Sequence, residues 1–197
     1  MIENCQRDIN IALMNELTLY FKKINIDINR VIDAASTKWN FAKYSPGLVG
    51  GDCIAIDPHY LIHSAKSHNL KLPLISLARK TNREMVDYVY EIIVGKLFML
   101  KIVKLAFFGI SYKENCDQIN NSMYLKIAKK LSQIYNVDIY DHLVERSNKD
   151  LKLVKIEEYE NIKYDAVVIG AQHSMYKTVN FNKSINESTI VIDIHGI

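Results

Sequence analysis

The chain has 197 residues, 49% of them hydrophobic, and 25 Lys and Arg against 22 Asp and Glu give a formal net charge of +3; that is ample apolar material for one or two packed domains. The small positive excess is dispersed, with only short pairs such as Lys22-Lys23 and Lys129-Lys130, so no nucleic-acid partner is expected. Cys5, Cys53 and Cys116 fit neither a disulfide framework nor a zinc site, so no metal is expected; no apolar run reaches membrane-spanning length and the N-terminal stretch is charged, so the chain reads as cytoplasmic with no membrane partner.

Ile9, Leu13, Leu17, Tyr20, Phe21 and Ile24 recur at three- and four-residue steps. They predict a first helix with one apolar stripe, and Arg7, Asp8, Asn15 and Lys22 lie off it. A second helix is expected from Asp27 to Ala35. The stretch from Ser45 to Pro58 then holds three of the seven glycines and two of the three prolines. A third helix is expected over about Tyr60 to Asn69. Leu74 through Leu97 runs on without proline, with Leu77, Val86, Val89 and Ile93 as candidates for a buried face. That segment is too apolar to stand exposed, which predicts a homodimer formed through the helical half.

From about residue 101 the pattern changes to short apolar runs. Ile102 to Gly109 reads as a buried strand, followed by a polar loop and a helix from about Ser122 to Tyr135. Val137 to Asp141, Asp165 to Ala171 and Ile190 to Asp193 are three further strands. Strands interleaved with helical sequence imply an α/β fold with a parallel, doubly wound sheet. Ligands of such sheets bind at the carboxyl ends of the strands, which makes the loop after Phe108-Gly109 the expected rim.

The glycine loop carries the chemistry. Glycine allows close backbone approach and positive φ, and proline stiffens the chain on either side. The loop delivers one thiol, Cys53, and a carboxylate four residues later, Asp57. Covalent catalysis at a carbonyl carbon needs that pair on a rigid support. The structural alternatives are a small buried cysteine, and an aspartate capping or turning the chain before Pro58.

Thr37-Lys38-Trp39-Asn40-Phe41, followed by Pro46-Gly47-Leu48-Val49-Gly50-Gly51, Cys53-Ile54, Asp57-Pro58 and Tyr60-Leu61, resembles the active-site loop of the UDP-glucose/GDP-mannose dehydrogenase family. These are NAD-dependent enzymes that oxidise the C6 alcohol of a sugar nucleotide to a carboxylate. The wording is most similar to the branch acting on UDP-N-acetylhexosamines, which supplies uronic acids for surface polysaccharide. The resemblance implies a central helical dimerisation domain over residues 1–97 and a C-terminal, Rossmann-like UDP-sugar-binding domain over 101–197. It also implies NAD as cofactor, whose N-terminal binding domain is absent from this sequence, so a separate NAD-binding half is an implied partner.

By the same resemblance Cys53 is the nucleophile, with Asn4 and Asp57 as its polar helpers. Tyr44, Gly50 and Gly51 belong to the sugar-facing cradle that runs from Tyr44 to Gly51. Lys113, in Gly109-Ile110-Ser111-Tyr112-Lys113, matches a lysine that contacts the sugar nucleotide. His173 fits the end of the family's third strand in a structural role. The sequence departs from the family in four places. A catalytic lysine four residues before Asn4 would fall ahead of Met1. Asp52 replaces a histidine, where a carboxylate beside a thiol disfavours the thiolate. His59 replaces an aromatic residue, and Asn120 stands where an arginine could hold phosphate bidentately. The sequence therefore predicts little dehydrogenase activity from the chain by itself. A non-catalytic sugar-nucleotide-binding or dimerising protein, a decayed remnant of the enzyme, is the alternative.

Overall fold

The structure is a computed structural model that describes residues 1–98, 104–144 and 152–196. The chain divides into two compact units, Met1–Met85 and Val86–Ile197.

The first unit is built from α1 (Ile2–Lys23), α2 (Ile28–Ala35), α3 (Asp57–Ser67) and the start of α4 (Pro73–Leu97). The division between these units falls inside α4. Asp27 caps α2, its carboxylate accepting from the Asn29 N–H at 2.9 Å, which explains why the helix starts there. Met14, Ile28 and Ile32 form a small core, with Leu17, Phe21, Phe41 and Tyr44 packed against it.

An apolar stripe ordinarily marks the core-facing side of a helix. α1 departs from that rule. Its buried residues are Cys5, Asp8, Ala12, Met14, Asn15 and Thr18, while Leu13 and Tyr20 of the stripe are 51% and 57% exposed. Asp8 and Asn15 are fully buried because each finds hydrogen-bond partners on other segments of the same unit. α4 shows a similar exchange: Val86, Val89 and Ile93 are buried as expected, but Leu77 is 58% exposed.

The second unit holds β1 (Lys104–Phe108), α5 (Met123–Leu131), β2 (Asn136–Tyr140), β3 (Ala166–Ile169) and β4 (Ile190–Asp193). The four strands form one sheet in the order β2-β1-β3-β4, every pair parallel, with Leu105 level with Val137 and Ala166. The Ile102-Val103 part of the expected first strand lies outside the described residues. Ser122 caps α5 through the Leu125 N–H, and the helix ends at Leu131, short of the expected Tyr135. One sheet face carries Ala106, Phe108, Tyr140 and Val167, covered by Tyr159, Tyr164 and Tyr176 from the irregular and 3-10 segments. Phe107 alternates to the other face, towards Tyr124 of α5, since both rings border Gly170.

Because β2 lies on one side of β1 and β3 on the other, the chain reverses direction across the sheet between β1 and β3. That switch point is where open parallel sheets take their ligands. Here the two strand ends are drawn tightly together. Gly109 (φ 77) accepts from the Ala171 N–H at 3.0 Å, and the Gly170 N–H donates to the Phe108 carbonyl at 2.8 Å. A Cβ at Gly109 would stand 2.1 Å from the Ala171 carbonyl oxygen, so only glycine fits. Among the described residues no helix is long and apolar enough to cross a membrane.

Candidate functional site

In the first unit the glycine loop ends in a turn that leads directly into α3. Gly51 takes φ 82, and the Cys53 carbonyl accepts from the Ile56 and Asp57 N–H groups at 3.1 and 2.8 Å. Cys53 and Asp57 are thus one helical turn apart and share a face. Cys53 is exposed, so it is not the buried hydrophobe of the structural alternative. Asp57 is the first residue of α3, with Ile56 at the cap position and no side-chain capping bond. Its carboxylate instead accepts from Asn4 Nδ2 of α1 at 2.7 Å. Three of the residues singled out in the sequence are therefore brought to one end of this unit. Cys5 is different in kind: it is buried, and burial, reinforced by Asp57 and Asp8, pushes its thiol up.

The seating of the loop depends on residues the sequence reading had left on a polar helix face. Asn15 binds the backbone of Gly47 twice, its Oδ1 accepting from the Gly47 N–H at 2.8 Å and its Nδ2 donating to the Gly47 carbonyl at 2.9 Å. The same Nδ2 donates to Asn82 Oδ1 at 2.9 Å. Asn82 Nδ2 in turn donates to Asp8 Oδ1 at 2.7 Å and to the Asp8 carbonyl at 2.9 Å, and Arg79 Nη1 donates to the same Asp8 oxygen. A buried polar chain therefore runs from an ion pair to the start of the glycine loop. Asp8 and Asn15, seven residues apart in a helix otherwise read as amphipathic, were the one available sign. Of the predicted cradle residues, Gly50 and Gly51 lie in the loop beyond the clamp, whereas the Tyr44 ring is spent partly on packing against Met14, Ile28 and Ile32.

In the second unit Lys113 is exposed at the tip of the loop after β1, its Nζ 5.4 Å from the centre of the Tyr112 ring. A contact with the Tyr112 phenol pushes the Lys113 ammonium up, keeping it charged. The root of that loop is buried and polar. Asp141, just past β2, accepts from the N–H groups of Ile110 (2.9 Å), Ser111 (3.3 Å) and Leu143 (3.1 Å). Burial works to raise the Asp141 carboxyl, but the hydrogen bonds from His173 and these amides prevail and hold it below the ordinary range. Asn120 is exposed.

A solved UDP-N-acetyl-mannosamine dehydrogenase from Staphylococcus aureus superposes with a TM-score of 0.80 at 26% identity, over 100% of this chain and 50% of that one. A UDP-D-ManNAc dehydrogenase from Pyrococcus horikoshii gives the same TM-score at 27% identity, over 99% and 50%. Residues 1–84 match the central domain, and residues 106–197 the UDP binding domain, of the UDP-glucose/GDP-mannose dehydrogenase family. The chain belongs to that family. Among curated relatives, a UDP-N-acetyl-D-glucosamine 6-dehydrogenase of Salmonella typhi is 36% identical over 184 residues, 90% of this chain and 43% of the relative. Protein CapL of Staphylococcus aureus is 34% identical over 207 residues, all of this chain and 49% of the relative. The chain thus spans about half the length of the curated relatives it matches.

Proposed function

We propose that the chain carries the thiol-bearing and nucleotide-holding parts of a cytoplasmic UDP-N-acetylhexosamine 6-dehydrogenase that makes uronic acids for surface polysaccharide. The observation that carries this reading is the exposed Cys53 one turn ahead of Asp57, with Asp57 held by Asn4. In the family the hydride acceptor is NAD. The described residues do not fit that group. In the second unit the Ile110 and Ser111 amides at the turn after β1, which a dinucleotide pyrophosphate would need, are taken by the Asp141 carboxylate. In the helical first unit the glycine turn follows no strand. The chain's own residues supply two steps on either side of the second hydride loss. The Cys53 sulfur adds to the C6 aldehyde, forming a C–S bond while the carbonyl oxygen takes a proton. After oxidation to the thioester, Asp57, fixed by the Asn4 amide, accepts a proton from water as its oxygen attacks the acyl carbon. The C–S bond then breaks, sulfur leaves as thiolate and the acid is released.

The addition step can be followed without the hydride acceptor. Incubation with a UDP-N-acetylhexosamine 6-aldehyde labelled with carbon-13 at C6 is expected to give a thiohemiacetal signal. That signal should vanish in Cys53→Ala and persist in Cys116→Ala. A C6 resonance that is the same in wild type and Cys53→Ala would overturn the assignment.

The exposed apolar side of α1 and α4 supports a homodimer. Ile2, Leu13, Leu74 and Leu77 are all at least half exposed, and Leu13, Leu74 and Leu77 line one apolar groove with Ile9 and Ala12. Sedimentation of the full chain is expected to give a dimer, and Leu13→Asp with Leu77→Asp a folded monomer. A wild-type monomer at micromolar concentration would rule the interface out.

A further inference from the structure

Ser111, His173 and Asp141 bring the residue types of a hydrolase triad together at the strand ends of the second unit, all buried. The hydrogen bonds run the wrong way for that chemistry. His173 Nδ1 accepts from the backbone N–H of Asn115 at 2.8 Å, so in the neutral ring the proton sits on Nε2. Nε2 lies 3.2 Å from both Asp141 Oδ2 and Ser111 Oγ, and Ser111 Oγ donates its own proton to the Lys113 carbonyl at 2.7 Å. The nitrogen facing the serine therefore bears the proton and cannot take one from it. The His173 ring is also walled in by His142 and Tyr176, with ring centres 5.1 and 5.2 Å away.

Apart from the His173–Asp141 contact, these bonds end on the short loop that presents Lys113. Asp141 holds its start through the Ile110 and Ser111 amides, Ser111 holds the Lys113 carbonyl, and His173 holds the Asn115 amide. Asn115, at φ 52, is further tied to the loop after β3: its Nδ2 donates to Ser174 Oγ at 3.0 Å and its Oδ1 accepts from the Ser174 N–H at 2.9 Å. A lysine on a free loop loses side-chain and backbone entropy when it binds phosphate, and a loop fixed beforehand loses less. We propose that His173 is a positioning residue for nucleotide binding, fixing Lys113 through the bond from the Asn115 amide to Nδ1. The proposal rests on the reading of Lys113 as a contact to the sugar nucleotide.

The test is a double-mutant cycle on UDP binding by the full chain, read by calorimetry, with amide hydrogen exchange at Asn115 as a second readout. Lys113→Ala is expected to weaken UDP about tenfold, the scale of one charge-assisted contact. His173→Gln keeps a donor for Asp141 but misplaces the acceptor, and should weaken UDP by a similar factor while speeding Asn115 exchange. His173→Asn puts an oxygen where Nδ1 was and should recover most of the affinity. In the Lys113→Ala background His173→Gln should cost nothing further. Should the histidine variants fail to fold, Asn115→Gly, at an exposed position whose positive φ glycine accepts, removes the Ser174 clamp and should weaken UDP in the same non-additive way. Unchanged affinity in Lys113→Ala would overturn the reading of Lys113 itself. A loss in Lys113→Ala with additive effects of His173→Gln, or with none, would overturn the positioning role alone.

Discussion

Asp8→Ala is expected to destabilise the helical unit by about 3–5 kcal/mol, the cost of leaving one member of a buried ion pair without its partner. Asp8 is 0% exposed and its Oδ1 accepts from both Arg79 and Asn82. Removing it strands the Arg79 guanidinium, itself 3% exposed, away from water. It also frees Asn82, and through Asn82 the Asn15 amide that grips the glycine loop. The pair as a whole is another matter. Asp8 Oδ2 and Arg79 Nε are buried and have no hydrogen-bond partner among the described residues, so part of the desolvation cost goes unreturned. Replacing both together, as Asp8→Leu with Arg79→Met, should therefore cost far less than either single change. Urea midpoints of the wild type, the single variants and the pair give the comparison. An Asp8→Ala variant within about 0.5 kcal/mol of wild type, a cost typical of surface positions, would show that the pair is not desolvated.

The second large effect is expected at Gly109. Substitution by alanine adds a Cβ 2.1 Å from the Ala171 carbonyl oxygen and 2.8 Å from its nitrogen, both backbone atoms with no rotamer to escape into. The residue also sits at φ 77, which an L side chain adopts only with strain. Strained φ and overpacking together should cost on the order of 4 kcal/mol, and the strand ends would have to part. Gly95 provides a control of opposite sign in the same unit. It lies within α4 with nothing within 4 Å of an added Cβ, so Gly95→Ala should stabilise by about 0.5–1 kcal/mol through helix propensity. Thermal unfolding of both variants checks the pair. Equal melting temperatures for Gly109→Ala and wild type would mean that β1 and β3 are not in close contact at the switch point.

The strands, the helix starts at Asp27 and Ser122 and the glycine loop are legible in the sequence because each follows from a local rule. Apolar runs, short polar caps and clustered glycine and proline act within a few residues of themselves. The face of α1 was not legible, and that of α4 only in part. Periodicity reports that a helix has an apolar side, but not whether its own unit or a second molecule covers that side. Leu13, Tyr20 and Leu77 stayed outside while Asp8 and Asn15 went in. The second gap has the same origin. Ser111, Asp141 and His173 meet only because a β2-β1-β3 strand order brings three distant strand ends side by side. Asn4 and Asp57 could be paired beforehand only through the family resemblance, since a separation of 53 residues carries no local signal.

The clamp on the glycine loop touches nothing but main chain: one N–H and one carbonyl of Gly47, read by a single asparagine. Anchorage and lining are thus separate properties of the segment. The grip on residue 47 does not depend on the side chains that follow it, although Val49 is buried and Gly51 needs its positive φ. A loop fastened in this way is held by its root: its exposed surface is free to diverge, while the turn that carries Cys53 into α3 keeps its place.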